Sequence, residues 1–246
     1  MSKISCMFKQ VFSRCNTFVL TLLCIGSLDV LFSQTAPNWS SKFDHLDYGQ
    51  IREVAETSGG DLYMAKNNNE YSLYAPPAIL LYNHITEQII DQSSASFTLN
   101  TITGIKLVGD SVLYISGLAN YTGPVYNRVY KKNVNSSQWQ QICQTDKDIN
   151  CLEVYGNKLF IGGNFTNLNG SNFSYLATYD ITTGVFDSVP QKLSHPVPNT
   201  AAVYCLKNNG TDLIVGGVFL NAGTDTLNSI ALYNSSGWHS LNKGLQ

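Results

Sequence analysis

Asn157–Asp180 reads NKLFIGGNFTNLNGSNFSYLATYD. An apolar run, Leu159-Phe160-Ile161, leads into Gly162-Gly163, a polar Asn/Gly stretch follows, and a second β-prone run closes on Tyr179-Asp180. This is the pattern of two short strands joined by a long turn. The same order recurs along the chain. Leu213-Ile214-Val215-Gly216-Gly217 repeats the first run, Leu113-Tyr114-Ile115-Ser116-Gly117 repeats it with one glycine replaced, and Leu62-Tyr63-Met64-Ala65-Lys66 with both replaced. The anchoring leucines are 51, 46 and 54 residues apart.

Other positions follow the anchors. Eight residues before them stand Val54, Ile105, Cys151 and Cys205. After them come runs ending in tyrosine: Ile79–Tyr82, Arg128–Tyr130, Leu176–Tyr179 and Ile230–Tyr233. Trp139, Phe186 and Trp238 close three of the units. Each unit reads as four short strands, in the third at 149–155, 157–163, 174–180 and 185–189. Helical periodicity of useful length is absent after the first 34 residues. A four-stranded sheet with two apolar faces cannot bury both alone, so packing sheet against sheet around an axis is the natural solution. The expected fold is all-β, a β-propeller of four-stranded blades of about 50 residues. The glycine pair has a backbone reason: without a Cβ, neighbouring chain approaches closely and the strand bends.

The order Gly-Gly, tyrosine, tryptophan resembles kelch-type repeats. LFIGGNFTNLNG followed by an Ala-x-Tyr strand is more similar to the GGNFT, or delta-60-type, repeats of large secreted surface proteins and to the propeller of fungal cell-polarity surface proteins. The ending Trp238–Gly244 resembles the tryptophan-led blade ending found there. The resemblance covers about residues 50–246 and is strongest in the last two units; the first departs from it with Ala65-Lys66 for the glycine pair and with Pro76-Pro77. It implies structure, and a secreted or cell-surface setting, but no chemical signature. It also implies a C-terminal sorting or anchoring module, which does not follow here. Four units stand at the lower limit for a closed propeller. The expectation is therefore a segment of a longer protein, with a four-bladed ring or an assembly closed by oligomerisation as alternatives.

The domain reading is a signal peptide over 1–34, a lead-in over 35–50 and repeats over 51–246, in units 51–101, 102–148, 149–201 and 202–246. Lys3, Lys9 and Arg14 precede Thr17–Leu28, a twelve-residue apolar run too short to span a bilayer as a helix. Membrane association is expected only through this leader or a missing anchor. The chain has 246 residues, is 43% hydrophobic and 13% charged, and carries a net charge of −2. No basic cluster appears, which argues against nucleic acid as a partner. Cys6, Cys15 and Cys24 fall in the leader, leaving Cys143, Cys151 and Cys205. Buried free thiols are one reading of these; a Cys143–Cys151 disulfide is the other, and needs Cα atoms within about 7 Å.

Catalytic motifs are missing. His45, His84, His195 and His239 form no HxH or HExxH, no CxxC occurs, and Gly-x-Ser-x-Gly is absent, so neither cofactor nor metal is expected. Asp61, Asp110 and Asp212 stand just before second strands, where turn-forming Asp belongs. The reading is thus an exported, non-catalytic binding, adhesion or structural module with an unidentified protein or glycan ligand. A polysaccharide hydrolase or lyase using carboxylates on one face is the alternative. The loops between second and third strands (66–77, 117–125, 163–174, 217–228) are the expected ligand region, with Asn164, Thr166, Asn169, Asn172, Asn221 and Thr224 as candidate residues.

Overall fold

The computed structural model describes residues 49–68, 77–93, 99–119 and 126–241. The leader, most of the lead-in, and most of the 66–77 and 117–125 loops lie outside them. The described residues are all-β. Their strands are β1 (Gly49–Glu56), β2 (Leu62–Asn68), β3 (Ala78–Asn83) and β4 (Gln88–Asp91) in the first unit. The second unit holds β5 (Thr101–Val108), β6 (Val112–Leu118), β7 (Asn127–Asn133) and β8 (Gln140–Thr145). The third holds β9 (Ile149–Tyr155), β10 (Lys158–Gly163), β11 (Leu176–Asp180), β12 (Phe186–Ser188) and the short β13 (Leu193–Ser194). The last holds β14 (Ala202–Asn208), β15 (Leu213–Val218), β16 (Asn221–Ala222), β17 (Asp225–Thr226), β18 (Ile230–Asn234) and β19 (Gly237–Ser240). Each unit is a four-stranded antiparallel meander in sequence order; β13, β16 and β17 form a fifth, three-stranded sheet between the last two units.

The first strands of the units lie side by side, β1 against β5, β5 against β9 and β9 against β14. The units therefore stack in sequence order. Period-two alternation along the second strands divides their side chains between the two seams. Leu113 and Ile115 join Tyr63 and Ala65 in one cluster; Leu159 and Ile161 join Tyr114 in the next; Leu213 and Val215 join Phe160 in the third. The anchor leucine and the residue two later thus face the preceding unit, and the residue between them faces the following one.

A one-residue bulge marks the first strand of every unit at the same place, at Arg52, Thr103, Asn150 and Tyr204. Just before it stand Ile102, Ile149 and Val203, all fully buried. At two of these positions the peptide is bonded by the unit before. Asn67 Nδ2 donates to Ile102 O at 2.8 Å, Ile102 N donates to Asn67 Oδ1 at 2.7 Å, and Asn150 Nδ2 donates to Val203 O at 2.9 Å.

The glycine pair divides two tasks. A Cβ on Gly163 would lie 2.0 Å from Asp148 O, and one on Gly217 2.1 Å from Ala202 O, because the bulge presses main chain onto the second glycine. The first glycine faces the following unit: a Cβ on Gly162 would lie 2.6 Å from Val203 Cγ1 and 2.8 Å from Cys151 Sγ.

Register corrects two alignments made from sequence. The first hairpin is one residue shorter in units three and four, so Val54 and Ile105 correspond to Leu152 and Leu206, which pair with Ile161 and Val215. Cys151 and Cys205 instead correspond to Glu53 and Gly104 and stand on the face toward the following unit. In unit two, Leu113 pairs with Lys132, so Lys132 rather than Tyr130 occupies the place of Tyr82, Tyr179 and Tyr233. Lys132 is buried and lays its ammonium 5.5 Å from the centroid of Trp139, where Tyr179 meets Phe186 and Tyr233 meets Trp238. Its alkyl stem and cation–π contact replace an aromatic pair.

All three described cysteines are free thiols, and the Cys143–Cys151 bridge is not present. Cys143 is buried in the cluster between units two and three, whereas Cys151 packs against that between units three and four. Burial pushes the Cys143 thiol up to about 12.

Candidate functional site

The antiparallel meander places the loop between second and third strands at the same end of each unit as the connection to the next unit. In the third unit this loop is a strap. Phe165 and Leu168 are fully buried between units two and three and pin it. Its polar groups then grip the end of β8. Thr166 Oγ1 donates to Asp146 Oδ2 at 2.6 Å, and the main-chain N–H groups of Thr166 and Asn167 both donate to Asp146 Oδ1 at 2.8 Å. Asn169 accepts from Gln144 N at 3.0 Å and donates to Ile142 O at 3.4 Å. Asn169 has φ 51°, the left-handed region that asparagine tolerates. Burial works to raise the pKa of the Asp146 carboxyl, but the three donors outweigh it and hold it below its ordinary value.

The last unit repeats the strap. Phe219, Ala222 and Leu227 are buried, and β16 pairs with β13 so that Leu193 lies opposite Ala222 and Ser194 opposite Asn221. The tryptophan closing the unit binds back to the same region: Trp238 Nε1 donates to Pro190 O at 3.0 Å, as Trp139 Nε1 donates to Gln92 O at 3.2 Å two seams earlier.

The six candidate ligand residues fall into two groups. Asn164, Thr166 and Asn169 belong to the strap; Asn164 Nδ2 donates to Asp148 Oδ2 at 3.4 Å, and Thr166 and Asn169 are bonded as above. Their amides and hydroxyl hold one unit to the next. Asn172 is exposed, accepts from Ser174 Oγ at 3.1 Å and receives Lys192 Nζ on its carbonyl at 3.2 Å. Asn221 is half-buried on β16, accepting from Thr226 Oγ1 at 3.3 Å. Thr224 is exposed at the β16–β17 turn. It borders a shallow open depression with Asp225, Thr226, Leu227, Trp238, His239 and Ser240. Sequence reasoning missed Asp146, whose one visible signal is its place in Thr145-Asp146-Lys147-Asp148, just before the next unit begins.

Asp61, Asp110, Asp180 and Asp212 have structural partners. Asp61 accepts from His84 N at 2.9 Å and pairs with His84 Nδ1 at 2.8 Å. Asp110 accepts from Ser58 N at 3.0 Å and from the Ser58 hydroxyl. Asp180 accepts from Thr182 N and Thr183 N, and Asp212 from Asn234 Nδ2 at 2.6 Å. Along the first strands, Lys106 Nζ stands 2.7 Å from Glu53 Oε1 and 3.7 Å from Glu153 Oε2, bridging three units. Burial lowers the Lys106 pKa, but Glu53 and Glu153 overcome it and hold it above the ordinary lysine value. Among the described residues no group of His, Cys, Asp and Glu is arranged to hold a metal ion, and no helix is long and apolar enough to cross a membrane.

The chain matches no known protein family and no curated protein. Among solved structures, it is similar to a variant of AtxE2 isopeptidase with Astexin3-dC4 bound, at 14% identity and a TM-score of 0.42 over 66% of this chain and 25% of that one. It is also similar to the apo AtxE2 isopeptidase, at 12% identity and a TM-score of 0.34 over 69% of this chain and 24% of that one. This chain spans about a quarter of the length of those structures. Likeness at this level bears on neither fold nor activity.

Proposed function

We propose that this chain is an exported β-propeller module, of kelch-like or delta-60 type, that serves as a non-catalytic binding or adhesion surface. The observation that carries the reading is the sequential stacking of four meanders through their first strands, β1, β5, β9 and β14. Stacking of this kind places the second-to-third-strand loops of successive units along one end of the molecule, where propellers offer a composite surface. The turn and strap duties of Asp61, Asp110, Asp146, Asp180 and Asp212 favour binding over hydrolysis. Among the described residues, the surface that suits a ligand is the exposed rim of the last unit, at Thr224, Asp225, Thr226, His239 and Ser240. Its hydroxyl, carboxylate and imidazole groups, held in an open depression, suit a hydroxyl-rich ligand such as a glycan.

The test is a glycan array probed with the labelled protein, repeated with Thr224→Lys. The reading expects a defined glycan class to bind and the variant to lose at least about tenfold in affinity with an unchanged melting temperature. Failure of every glycan, or equal binding by the variant, overturns the assignment of this rim.

A further inference from the structure

Among the described residues, the two end faces of the stack lack the cover that each internal seam receives. At the position before the bulge, Ile102, Ile149 and Val203 are fully buried, yet Ile51 is only half-buried. At the anchor, Leu113, Leu159 and Leu213 are fully buried, yet Leu62 is half-buried. The opposite face shows the same contrast. Tyr63, Tyr114 and Phe160 are buried by the following unit, but their counterpart Ile214 is half-buried. The Tyr204 side chain is 57% exposed, and Cys205 is exposed beside it.

The glycine faces make the contrast specific. Over Gly162, Val203 of the following unit fills the space beside Cys151 Sγ. Over Gly216, Cys205 Sγ is the one neighbour within 4 Å among the described residues, none of which holds the place that corresponds to Val203. Gly216 is buried beneath Cys205, but among the described residues unit four has no counterpart of the Val203 side chain that packs on the preceding seam. Unit one carries such a counterpart, because Ile51 pairs with Lys66 as Val203 pairs with Gly217.

We propose that unit four of one copy docks unit one of a second copy, with Ile51 of the second seated over Gly216 and beside Cys205 of the first. The occupant is argued from continuity with the three seams already built: it needs an apolar residue before a bulge and a leucine at the anchor of the next strand, and unit one supplies Ile51 and Leu62. The contact is heterologous, so two such seams close a dimer if the rotation permits, and a chain of copies forms if it does not. Cys205 becomes covered on association.

The experiment uses the full chain with Ile51→Cys and a mild thiol oxidant, diamide, followed by non-reducing electrophoresis. Sedimentation velocity of the unmodified chain over a hundredfold concentration range accompanies it. The expected results are a reducible cross-link between chains, joining the introduced thiol of one to Cys205 of the other, and a weight-average mass that rises to at least twice that of one chain. Two controls confirm the route: Cys205→Ser abolishes the cross-linked species, and Ile214→Glu keeps the chain monomeric with unchanged melting. A cross-link within one chain overturns the proposal in favour of a ring that closes on itself. A monomer at all concentrations without a cross-link overturns it too. If Ile51→Cys does not fold, alkylation of Cys205 in the unmodified chain decides: the rate falls at least fivefold on concentration if the face docks a copy, and a constant rate overturns the proposal.

Discussion

The seam between units three and four permits a quantitative test through Gly162 and Val203. A methyl group on Gly162 would lie 2.6 Å from Val203 Cγ1 and 2.8 Å from Cys151 Sγ, well inside van der Waals contact. Gly162→Ala gains a few tenths to about 1 kcal/mol from reduced freedom of the unfolded chain. Overpacking a closed seam costs about 1–3 kcal/mol, so the net effect is destabilisation by about 1–2 kcal/mol. Val203 is fully buried. Val203→Ala removes two methyl groups and leaves a void, costing about 2–3 kcal/mol. In the double variant the new methyl enters the space vacated by the valine, so the losses do not add. The pair is expected to be more stable than the sum of the single effects by about 1–2 kcal/mol, a coupling typical of residues in contact. The assay is urea unfolding of all four proteins followed by far-ultraviolet circular dichroism, with m-values compared to confirm equal exposure. Strict additivity, within about 0.3 kcal/mol, would refute the contact and with it the packing of β14 onto the glycine face of β10.

Three further outcomes follow from the same geometry. Lys106→Met leaves Glu53 and Glu153 facing one another across the first strands without their shared cation; it should cost about 3 kcal/mol in urea unfolding, and Glu53→Gln in the same chain should recover part of the loss. Asp146 has a depressed carboxyl pKa in the folded state, so its contribution is fully present above the unfolded carboxylate value and is lost as pH falls through the folded one. Asp146→Asn should therefore flatten stability against pH below the ordinary carboxylate range, and an unchanged acid limb would remove Asp146 from the account. Against iodoacetamide at pH 8, exposed Cys205 should be alkylated in native protein, while Cys143, buried and with its thiol pushed up to about 12, should react only on unfolding; mass spectrometry of peptides reads both.

The repeat was legible because it is written in residues that do one physical job each. Leu159, Gly162-Gly163 and Tyr179 mark a buried anchor, two places with no room for a side chain, and a cross-strand aromatic. The four strands read for unit three match β9–β12 to within two residues at every end. What failed was register. A hairpin shortened by one residue is invisible to an ungapped alignment, yet it moves every side chain of the first strand to the other face. That is why Cys151 and Cys205 aligned with Val54 and Ile105 although they stand with Glu53 and Gly104. Lys132 was missed for another reason: a lysine in an aromatic slot makes sense only once Trp139 lies beneath it. In the candidate site, composition marked the Asn- and Thr-rich loop as available to a ligand. Hydrogen-bond partners on another unit, above all Asp146, were not readable from composition. They turn half of that loop into a strap and move the open polar surface to the rim near Thr224.

The stacking order of the units is tested most directly by proton–proton contacts across two seams, measured by NOE spectroscopy on protein with labelled Ile, Leu and Val methyl groups and glycine Hα. The account predicts cross-peaks from the Val203 methyl groups to the Gly162 Hα protons and from the Leu152 methyl groups to those of Gly104, where Leu152 Cγ lies 3.5 Å from a Cβ built on that glycine. Absence of both, with the within-unit contacts of β9 to β10 intact, would contradict the sequential stacking on which the function and the docking face rest.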